Sequence, residues 1–155
     1  MSIDCYACRL TNGDEEVPGG RILATRHWVV EHCTGPLGIG TLIVKPLRHC
    51  LHLGDLSTAE AEELGPLVQR VSAVVRELTG ADQVYACLWS HAGWKPGHIH
   101  FVVQPAWNHW QDSFSGPGPS VQSAMFFSGA TLDVAAAERF ADKARAKLSE
   151  GNGRP

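Results

Sequence analysis

Two histidines, His98 and His100, are separated by a single residue in the apolar segment that ends at Pro105. Side chains alternate between the two faces of a strand, so an extended segment would place both imidazoles on one face. Imidazole is a zinc ligand and is also a nucleophile or proton acceptor near neutral pH. The pair therefore indicates metal binding or catalysis, although a solvated strand face would accommodate the same residues.

Cys5 and Cys8 form a C-x2-C motif, which has three interpretations: a zinc site, a thiol redox pair, or chance. A thioredoxin-like pair follows a strand and opens a helix within a βαβ pattern, which residues 1–10 do not offer. A zinc site needs two further ligands, for which the eight histidines of the chain are candidates. The spacing does not select two of them, but it excludes a Cys2His2 nucleic-acid finger.

The composition limits the class of protein. A chain of 155 residues with a formal net charge of -3 lacks the broad basic surface that nucleic-acid polymers and anionic membranes require. No apolar run approaches the roughly 20 residues of a membrane span, and the first ten residues do not resemble a signal peptide. Five cysteines, an odd number, argue against a disulfide framework. We therefore expect a cytoplasmic protein with three buried, structural thiols, at Cys33, Cys50 and Cys87.

Strand and helix signals alternate along the chain without an internal repeat. Ser57 and Glu60 form a capping box, after which apolar residues recur at helical spacing until Gly80, and this predicts a long helix. A second helix is predicted near Val134–Leu148, and the segment 113–120 is rich in Gly, Pro and Ser. Five segments have strand patterns: 21–25, 28–33, 41–44, 83–89 and 98–103.

Strands joined by hairpins around one long helix predict an α+β fold with an antiparallel sheet. We expect a single domain over residues 1–150, followed by a disordered tail at 151–155.

Three motifs in register resemble those of a known family. The segment Gly97-His98-Ile99-His100-Phe101-Val102-Val103, followed by Gln104-Pro105, resembles the signature of the histidine triad (HIT) family, in which histidines alternate with apolar residues before a proline. The C-x2-C motif is similar to that of zinc-containing bacterial members. The segment from Gly40 to His49 is similar to their Gly-x-x-(apolar run)-Pro-x-x-His segment. The resemblance covers roughly residues 3–105.

This resemblance implies a HIT-like fold with one long central helix and a C-terminal helix. It implies that His100 attacks the α-phosphorus of a nucleoside phosphoramidate or a (di)nucleoside polyphosphate, through a nucleotidyl-histidine intermediate. It also implies a homodimer. The implied ligands of a structural zinc ion are Cys5, Cys8, His49 and His98.

The chain departs from the family pattern around the substrate. Val102 stands at the third triad position and has no proton to donate. The family's acidic ribose contact falls near Cys33, with Glu31 and His32 as approximate substitutes. The aromatic residues Trp107 and Trp110 are candidates for a base pocket or a subunit interface.

Four residues are candidate substrate contacts. Lys95 takes a position where a Ser or Thr often contacts phosphate, and His91 is a candidate replacement acid, although both also suit an exposed loop. Trp94 is a candidate wall of the base pocket, and Val102 is expected beside the substrate. Two functions remain open: a HIT-type nucleotide hydrolase or nucleotidyl transferase, and a zinc-stabilised nucleotide- or anion-binding protein without turnover.

Overall fold

An antiparallel sheet of five strands forms the centre of the fold in the computed structural model, which describes residues 4–95, 97–114 and 116–150. The strands are β1 Arg21–Ala24, β2 Trp28–His32, β3 Leu42–Pro46, β4 Gln83–Leu88 and β5 Phe101–Ala106. The helices are α1 Tyr6–Asn12, α2 Thr58–Thr79, α3 Trp110–Ser113, α4 Pro119–Phe126 and α5 Val134–Glu150, with a 3-10 turn at Leu53–Asp55. The strands lie in the order β1-β2-β3-β5-β4, so β4 is an edge strand.

One face of the sheet packs against α2 and α5 and forms the hydrophobic core. Each buried large apolar side chain contributes about 1.5–3 kcal/mol, and slipping a strand by one residue would turn these side chains outward, so this face fixes the strand register. The core members are Ile22, Trp28, Val30, Leu42, Val44 and Val103 from the sheet, Leu67, Val71 and Val75 from α2, and Phe140, Ala141, Ala144 and Leu148 from α5.

Both ends of α2 have the caps that the sequence predicts. The Oγ of Ser57 accepts a hydrogen bond from the Glu60 amide at 3.3 Å, and the Glu60 carboxylate accepts one from the Ser57 amide at 2.7 Å. Gly80 ends the helix with a φ of 66°, a left-handed conformation that favours glycine. Glu60 also accepts from Arg48 at 2.6 Å, which ties the start of α2 to the loop that carries His49.

The opposite face of the sheet carries the candidate site. Glu31, Ile43, Val102 and Cys87 are paired in register across β2, β3, β5 and β4, so they form one lateral row on this face. Two helices cover parts of the face and leave a groove between them. Lys45 of β3 donates a hydrogen bond to helix α1. Helix α4 contacts the sheet through Met125, which accepts from Gln104 of β5, and through Gln122, which donates to Cys87 of β4.

The predicted α+β class, the antiparallel sheet and the two long helices are confirmed. Helices α1, α3 and α4 were not predicted from the sequence, because they are short and none has a side-chain hydrogen bond at its N-cap. The single domain over residues 1–150 stays a prediction, and the predicted tail at 151–155 lies outside the described residues. None of the helices in the described ranges is long and apolar enough to cross a membrane.

The strand predicted at 98–103 begins three residues later than expected and extends further, since β5 runs from Phe101 to Ala106. The amide of Ile99 donates to the Cys50 carbonyl at 2.9 Å, and the amide of His100 donates to the Ser90 Oγ at 3.0 Å. These two amides therefore bond outside the ladder with β3. Both histidines of the motif lie just before the strand instead of on it.

Candidate active site and metal centre

Two cysteines and two histidines from distant parts of the chain meet at one end of α1. Cys5 precedes the helix and Cys8 lies within it, His49 follows β3, and His98 precedes β5. The four ligand atoms all lie within 4.8 Å of one another. Cys5 and His98 are buried, whereas Cys8 and His49 are half-buried.

The spacing of these atoms fits a tetrahedral zinc site. The Nδ1 of His98 lies 3.6 Å from the Cys5 Sγ and 3.5 Å from the Cys8 Sγ, and the Nδ1 of His49 lies 3.5 Å from the Cys8 Sγ. Zinc bonds of about 2.3 Å to sulfur and about 2.0 Å to nitrogen, at tetrahedral angles, place sulfur and nitrogen about 3.5 Å apart. Four protein ligands leave no open position, so this cluster fits structural zinc.

The protonation of His98 suits metal binding. Its Nε2 lies 3.2 Å from the Pro46 carbonyl oxygen, so this nitrogen carries the proton and donates, while Nδ1 presents its lone pair to the sulfurs. Burial lowers the pKa of His98 to about 4, and the neighbouring His49 and Lys45 add to the effect against the opposing hydrogen bond. The imidazole is therefore neutral at physiological pH.

The thiol of Cys8, unlike the His98 imidazole, must lose a proton before it binds zinc. Burial, followed by the contact with Cys5, raises its pKa to about 11. A zinc ion must therefore displace a proton from this thiol, which makes metal affinity dependent on pH.

His100 turns away from the metal cluster. Its Nδ1 donates a hydrogen bond to the His98 carbonyl at 2.9 Å, and the Ser90 Oγ lies 3.1 Å from the same nitrogen. Among the described residues, none is hydrogen-bonded to Nε2, which has a lone pair in this tautomer. Burial lowers the pKa of His100, and nearby Lys45 adds to the effect, so the imidazole is neutral near pH 7.

The loop before the motif fixes this arrangement. Gly97 has a φ of 59°, and a Cβ at this position would lie 2.9 Å from the carbonyl oxygens of both Ala92 and Trp94. Only glycine fits this close approach. Ser90 then bonds to the motif at both histidines, since its hydroxyl donates to the His98 carbonyl at 3.1 Å and accepts the His100 amide.

Two adjoining chambers open on either side of His100. The sheet chamber, about 590 Å³, lies between α1 and the open face of β2 and β3, and its lining includes Ala7, Leu10, Glu31 and Ile43. The aromatic chamber, about 500 Å³, lies under α4 and has four exposed aromatic residues in its lining: Trp89, Trp94, Phe126 and Phe127. The residues common to both chambers are Leu37, Lys95, His100, Val102 and Phe126.

The predicted substrate contacts all line these chambers. Lys95 and Val102 lie where the two chambers meet, and His91 and Trp94 line the aromatic chamber. Trp107 and Trp110 line neither chamber, and their rings pack against each other with centroids 4.8 Å apart. These two residues therefore do not wall either of the described chambers, and their alternative role at a subunit interface stays a prediction.

The two approximate substitutes for the ribose acid lie on opposite faces of the sheet. His32 points into the core, where its ring packs edge-on against the ring of Phe140, with the ring centroids 6.0 Å apart. Glu31 lies on the site face and pairs with Lys45. Alternation along β2 separates them, so only Glu31 offers its side chain to the chamber.

Two residues of the site were missed by the sequence analysis. Lys45 is buried, and its Nζ lies 2.6 Å from the Glu31 Oε2 and 2.9 Å from the Ala7 carbonyl oxygen. The sequence did contain a signal for this residue. Glu31 interrupts the apolar segment of β2 and Lys45 interrupts that of β3, and charged residues are rarely buried unless they are paired. Ser90 carries no such signal, since a serine in a loop is common and its bonds depend on how the loop folds.

Comparisons with known proteins give solved structures only, since no protein-family model and no curated protein matches the sequence. The first similar structure is a Zn-bound histidine triad family protein from Mycobacterium smegmatis, with 23% identity and a TM-score of 0.70, over 97% of this chain and 99% of that one. The second is a HIT-like protein from Bartonella henselae involved in cell-cycle regulation, solved with an unknown ligand. It has 18% identity and a TM-score of 0.73, over 94% of this chain and 96% of that one.

A third structure is the diadenosine triphosphate hydrolase of Plasmodium falciparum in complex with Cyclomarin A, with 14% identity and a TM-score of 0.63. The match covers 84% of this chain and 76% of that one. The chain has the histidine triad fold. The predicted resemblance is thus confirmed at the level of the fold, and the Zn-bound neighbour agrees with the four-residue cluster found here. On this histidine triad fold, His100 is the residue between the metal cluster and the two chambers.

Proposed function

We propose that this protein is a histidine triad enzyme, a nucleotide hydrolase or nucleotidyl transferase that acts through His100. The observation that supports the proposal is the orientation of His100, whose Nδ1 is held by the His98 carbonyl while Nε2 is left for a ligand. The imidazole lies where two chambers meet, so a phosphorus centre at Nε2 would have room on both sides. A diadenosine triphosphate hydrolase has a similar fold, and this similarity supports a nucleotide ligand.

The proposed reaction has two steps. The lone pair of Nε2 attacks the α-phosphorus, the bond from phosphorus to the leaving group breaks, and a nucleotidyl-histidine forms. Water or another acceptor then attacks the same phosphorus, and the imidazole leaves in its neutral form. The His98 carbonyl accepts a hydrogen bond from Nδ1–H throughout and stabilises the positive charge that develops on the ring.

Other residues have proposed supporting roles. Lys95, at the junction of the chambers, neutralises phosphate oxygens as a point charge. His91 is a candidate acid for the leaving group, and Trp94 contributes an apolar wall. Val102 contacts the substrate without donating a proton.

Zinc has a structural role in this proposal. Cys5, Cys8, His49 and His98 would hold the ion in a closed site, in which it fixes α1 to the loop before β5. The chain's own residues then carry the chemistry. The cysteines of the described residues form no disulfide, which fits a reducing, cytoplasmic compartment.

A homodimer is proposed on the resemblance to the family. The edge position of β4 leaves backbone donors and acceptors that a second copy of the sheet would pair. The mass of the particle in solution, measured by light scattering, tests this proposal.

The test of the function uses a panel of adenylyl and guanylyl amidates and anhydrides, read for released mononucleotide. We expect His100→Gly to reduce turnover by at least about 100-fold while ligand still binds, because the nucleophile is lost and the chambers remain. His52→Ala, an exposed histidine outside both chambers, is the matched control and should keep wild-type activity. A nucleotidyl adduct on His100, found by mass spectrometry, would support the mechanism directly. Equal turnover by wild type and His100→Gly would overturn it.

The second candidate function is nucleotide or anion binding without turnover. The observation that favours it is Val102, which lies beside His100 and cannot assist a leaving group. Wild-type protein that binds nucleotides but releases no product from any member of the panel would select this function.

A further inference from the structure

A buried ion pair forms part of the lining of the sheet chamber. The side chains of Glu31 and Lys45 are 4% and 2% exposed, and the Glu31 Oε2 lies 2.6 Å from the Lys45 Nζ. Both residues line the chamber. Removing two charges from water is unfavourable by several kcal/mol per ion, and in other proteins apolar residues of similar volume often give equal or greater stability than a buried ion pair. A buried ion pair beside a ligand chamber therefore points to a role in recognition.

The carboxylate has one oxygen left for a ligand. Among the described residues, only Lys45 makes a polar contact with the Glu31 carboxylate, and it does so through Oε2. In this ion pair the carboxylate presents Oε1 as an acceptor with two lone pairs and no proton to donate. A ligand group that meets Oε1 must therefore present donors, and an acceptor facing it would be repelled.

Glu31 lies at the far side of the chamber from the proposed nucleophile. It is paired with Ile43, which is paired with Val102 on the strand that follows His100. Two strand spacings separate the backbones of Glu31 and Val102 by about 10 Å. This distance suits a nucleotide with its α-phosphate at His100 and the edge of its base at Glu31.

The walls between these points suit a flat ring. Ile43 on the sheet and Ala7 and Leu10 on α1 contribute apolar surface to the same chamber. A planar base inserted between them would bury its faces against apolar groups and turn its polar edge to the carboxylate. The aromatic chamber offers no carboxylate, since its lining includes neither Asp nor Glu.

We propose that Glu31, held by Lys45, reads the edge of the nucleobase and makes the sheet chamber selective for guanine. This inference rests on the proposed nucleotide-binding function and extends it to the class of base. Guanine presents two adjacent donors, its ring N1–H and its exocyclic amino group, to an acceptor. Adenine and cytosine place a ring acceptor beside their amino group, which a carboxylate would repel. Uracil has a single donor between two carbonyl oxygens.

Wild-type protein provides the first test, by calorimetric titration with GMP, IMP and AMP. Hydrogen bonds to a charged group are worth about 1.5–3 kcal/mol, so the Kd for GMP should be at least about 10-fold lower than that for AMP. IMP retains N1–H but lacks the amino group, so its Kd should fall between the two. AMP binding as tightly as GMP would overturn guanine selectivity and leave the proposed function intact. Failure of all three nucleotides to bind would overturn both proposals.

A variant identifies the residue responsible. Glu31→Gln has an amide that both donates and accepts, which suits the adenine edge, so GMP affinity should fall at least about 10-fold while AMP affinity stays or improves. Glu77→Gln is the matched control, because Glu77 forms an ion pair of the same 2.6 Å length with Lys147 outside both chambers. An unchanged GMP-to-AMP ratio in folded, zinc-loaded Glu31→Gln would overturn the assignment. If the variant does not fold, the titrations of wild-type protein with GMP, IMP and AMP still test guanine selectivity.

Titration with 2′-deoxy-GMP separates base reading from ribose binding. The base-reading proposal expects 2′-deoxy-GMP to keep the preference over AMP. A loss of at least about 10-fold for the deoxynucleotide, together with equal binding of GMP and AMP, would assign Glu31 to the ribose hydroxyls and overturn the proposal.

Discussion

The Nζ of Lys45 donates a hydrogen bond to the carbonyl oxygen of Ala7, at 2.9 Å. Ala7 lies in α1 between the two cysteines of the metal cluster, and it also lines the sheet chamber. Lys45 pairs in addition with Glu31. One buried cation therefore joins the helix that carries two zinc ligands to the chamber proposed for the nucleoside.

Loss of zinc should weaken both the fold and ligand binding. In Cys8→Ala we expect bound zinc to fall from about one ion per chain to near zero, because the cluster loses one of four ligands. Because the free energy of unfolding should fall by at least about 2 kcal/mol, the Tm should drop by about 4–8 °C. GMP affinity should also fall, since α1 is a wall of the sheet chamber.

The matched control for this variant is Cys87→Ala. Cys87 is half-buried on β4 and lies outside the metal cluster, so its removal should leave the zinc content unchanged. Metal content by atomic emission and Tm by calorimetry make the comparison. Equal zinc in Cys8→Ala and wild type would contradict the site.

Ser90 should act as a positioning residue for His100. Its Oγ accepts the His100 amide at 3.0 Å and donates to the His98 carbonyl at 3.1 Å. Ser90→Ala loses hydrogen bonds worth about 1 kcal/mol each, so we expect kcat to fall about 5- to 30-fold with little change in KM. Ser90→Thr keeps the hydroxyl and should recover much of the rate. A change confined to KM would mean that Ser90 contacts the substrate instead.

The absence of a donor at Val102 predicts which substrates react fastest. Val102 lies beside His100 at the junction of the chambers, so departure of a basic leaving group receives no proton from this position. Across a series of nucleoside 5′-aryl phosphates, the wild-type rate should fall steeply as the leaving-group pKa rises. Val102→His introduces an acid and should flatten this dependence.

Val102→Ala provides the control for this series. It enlarges the chamber without adding a donor, so it should retain the steep dependence on the leaving group. The same slope in Val102→His and Val102→Ala would show that position 102 does not reach the leaving group.

The sequence predicted the parts of the fold that depend on local chemistry. The capping box at Ser57 and the glycine at position 80 define α2 without help from the rest of the chain. The apolar alternation of the strands follows from one face packing on two helices. Helix α1 could not be predicted in this way, because it has seven residues and is held by contacts from β3 and the metal cluster.

The candidate site was likewise predictable only in part, because some of its features depend on contacts between distant segments. Family resemblance identified the four metal-cluster residues, and their ligand atoms do lie together. The strand pattern at 98–103 placed both histidines on a strand, whereas the amides of Ile99 and His100 bond to Cys50 and Ser90. Those partners come from segments 49 and 10 residues away, which no periodicity within the motif encodes. The Glu31 to Lys45 ion pair likewise depends on which strands become neighbours.

Glu60 should make the stability of the protein depend on pH in the acid range. Arg48, and then the Ser57 amide, hold the pKa of this carboxyl at about 2, below the ordinary value of 4.5. The folded state therefore binds a proton less readily than the unfolded state. The stabilisation is fully present above about pH 4.5 and is lost as the pH falls toward 2. We expect Glu60→Gln to lower the free energy of unfolding by about 2 kcal/mol at pH 7, through the lost charge-assisted bonds and cap.

The difference between wild type and Glu60→Gln should shrink as the pH falls from 4.5 toward 2, because the unfolded wild-type chain binds a proton at Glu60 in this range whereas the folded protein does so only near pH 2. Urea unfolding at a series of pH values measures this. Glu62→Gln, an exposed position on the same helix, is the control and should follow the wild-type curve. A difference between wild type and Glu60→Gln that stays constant from pH 7 to 2 would show that the carboxylate charge contributes nothing, and that only the shape of the side chain matters to the cap.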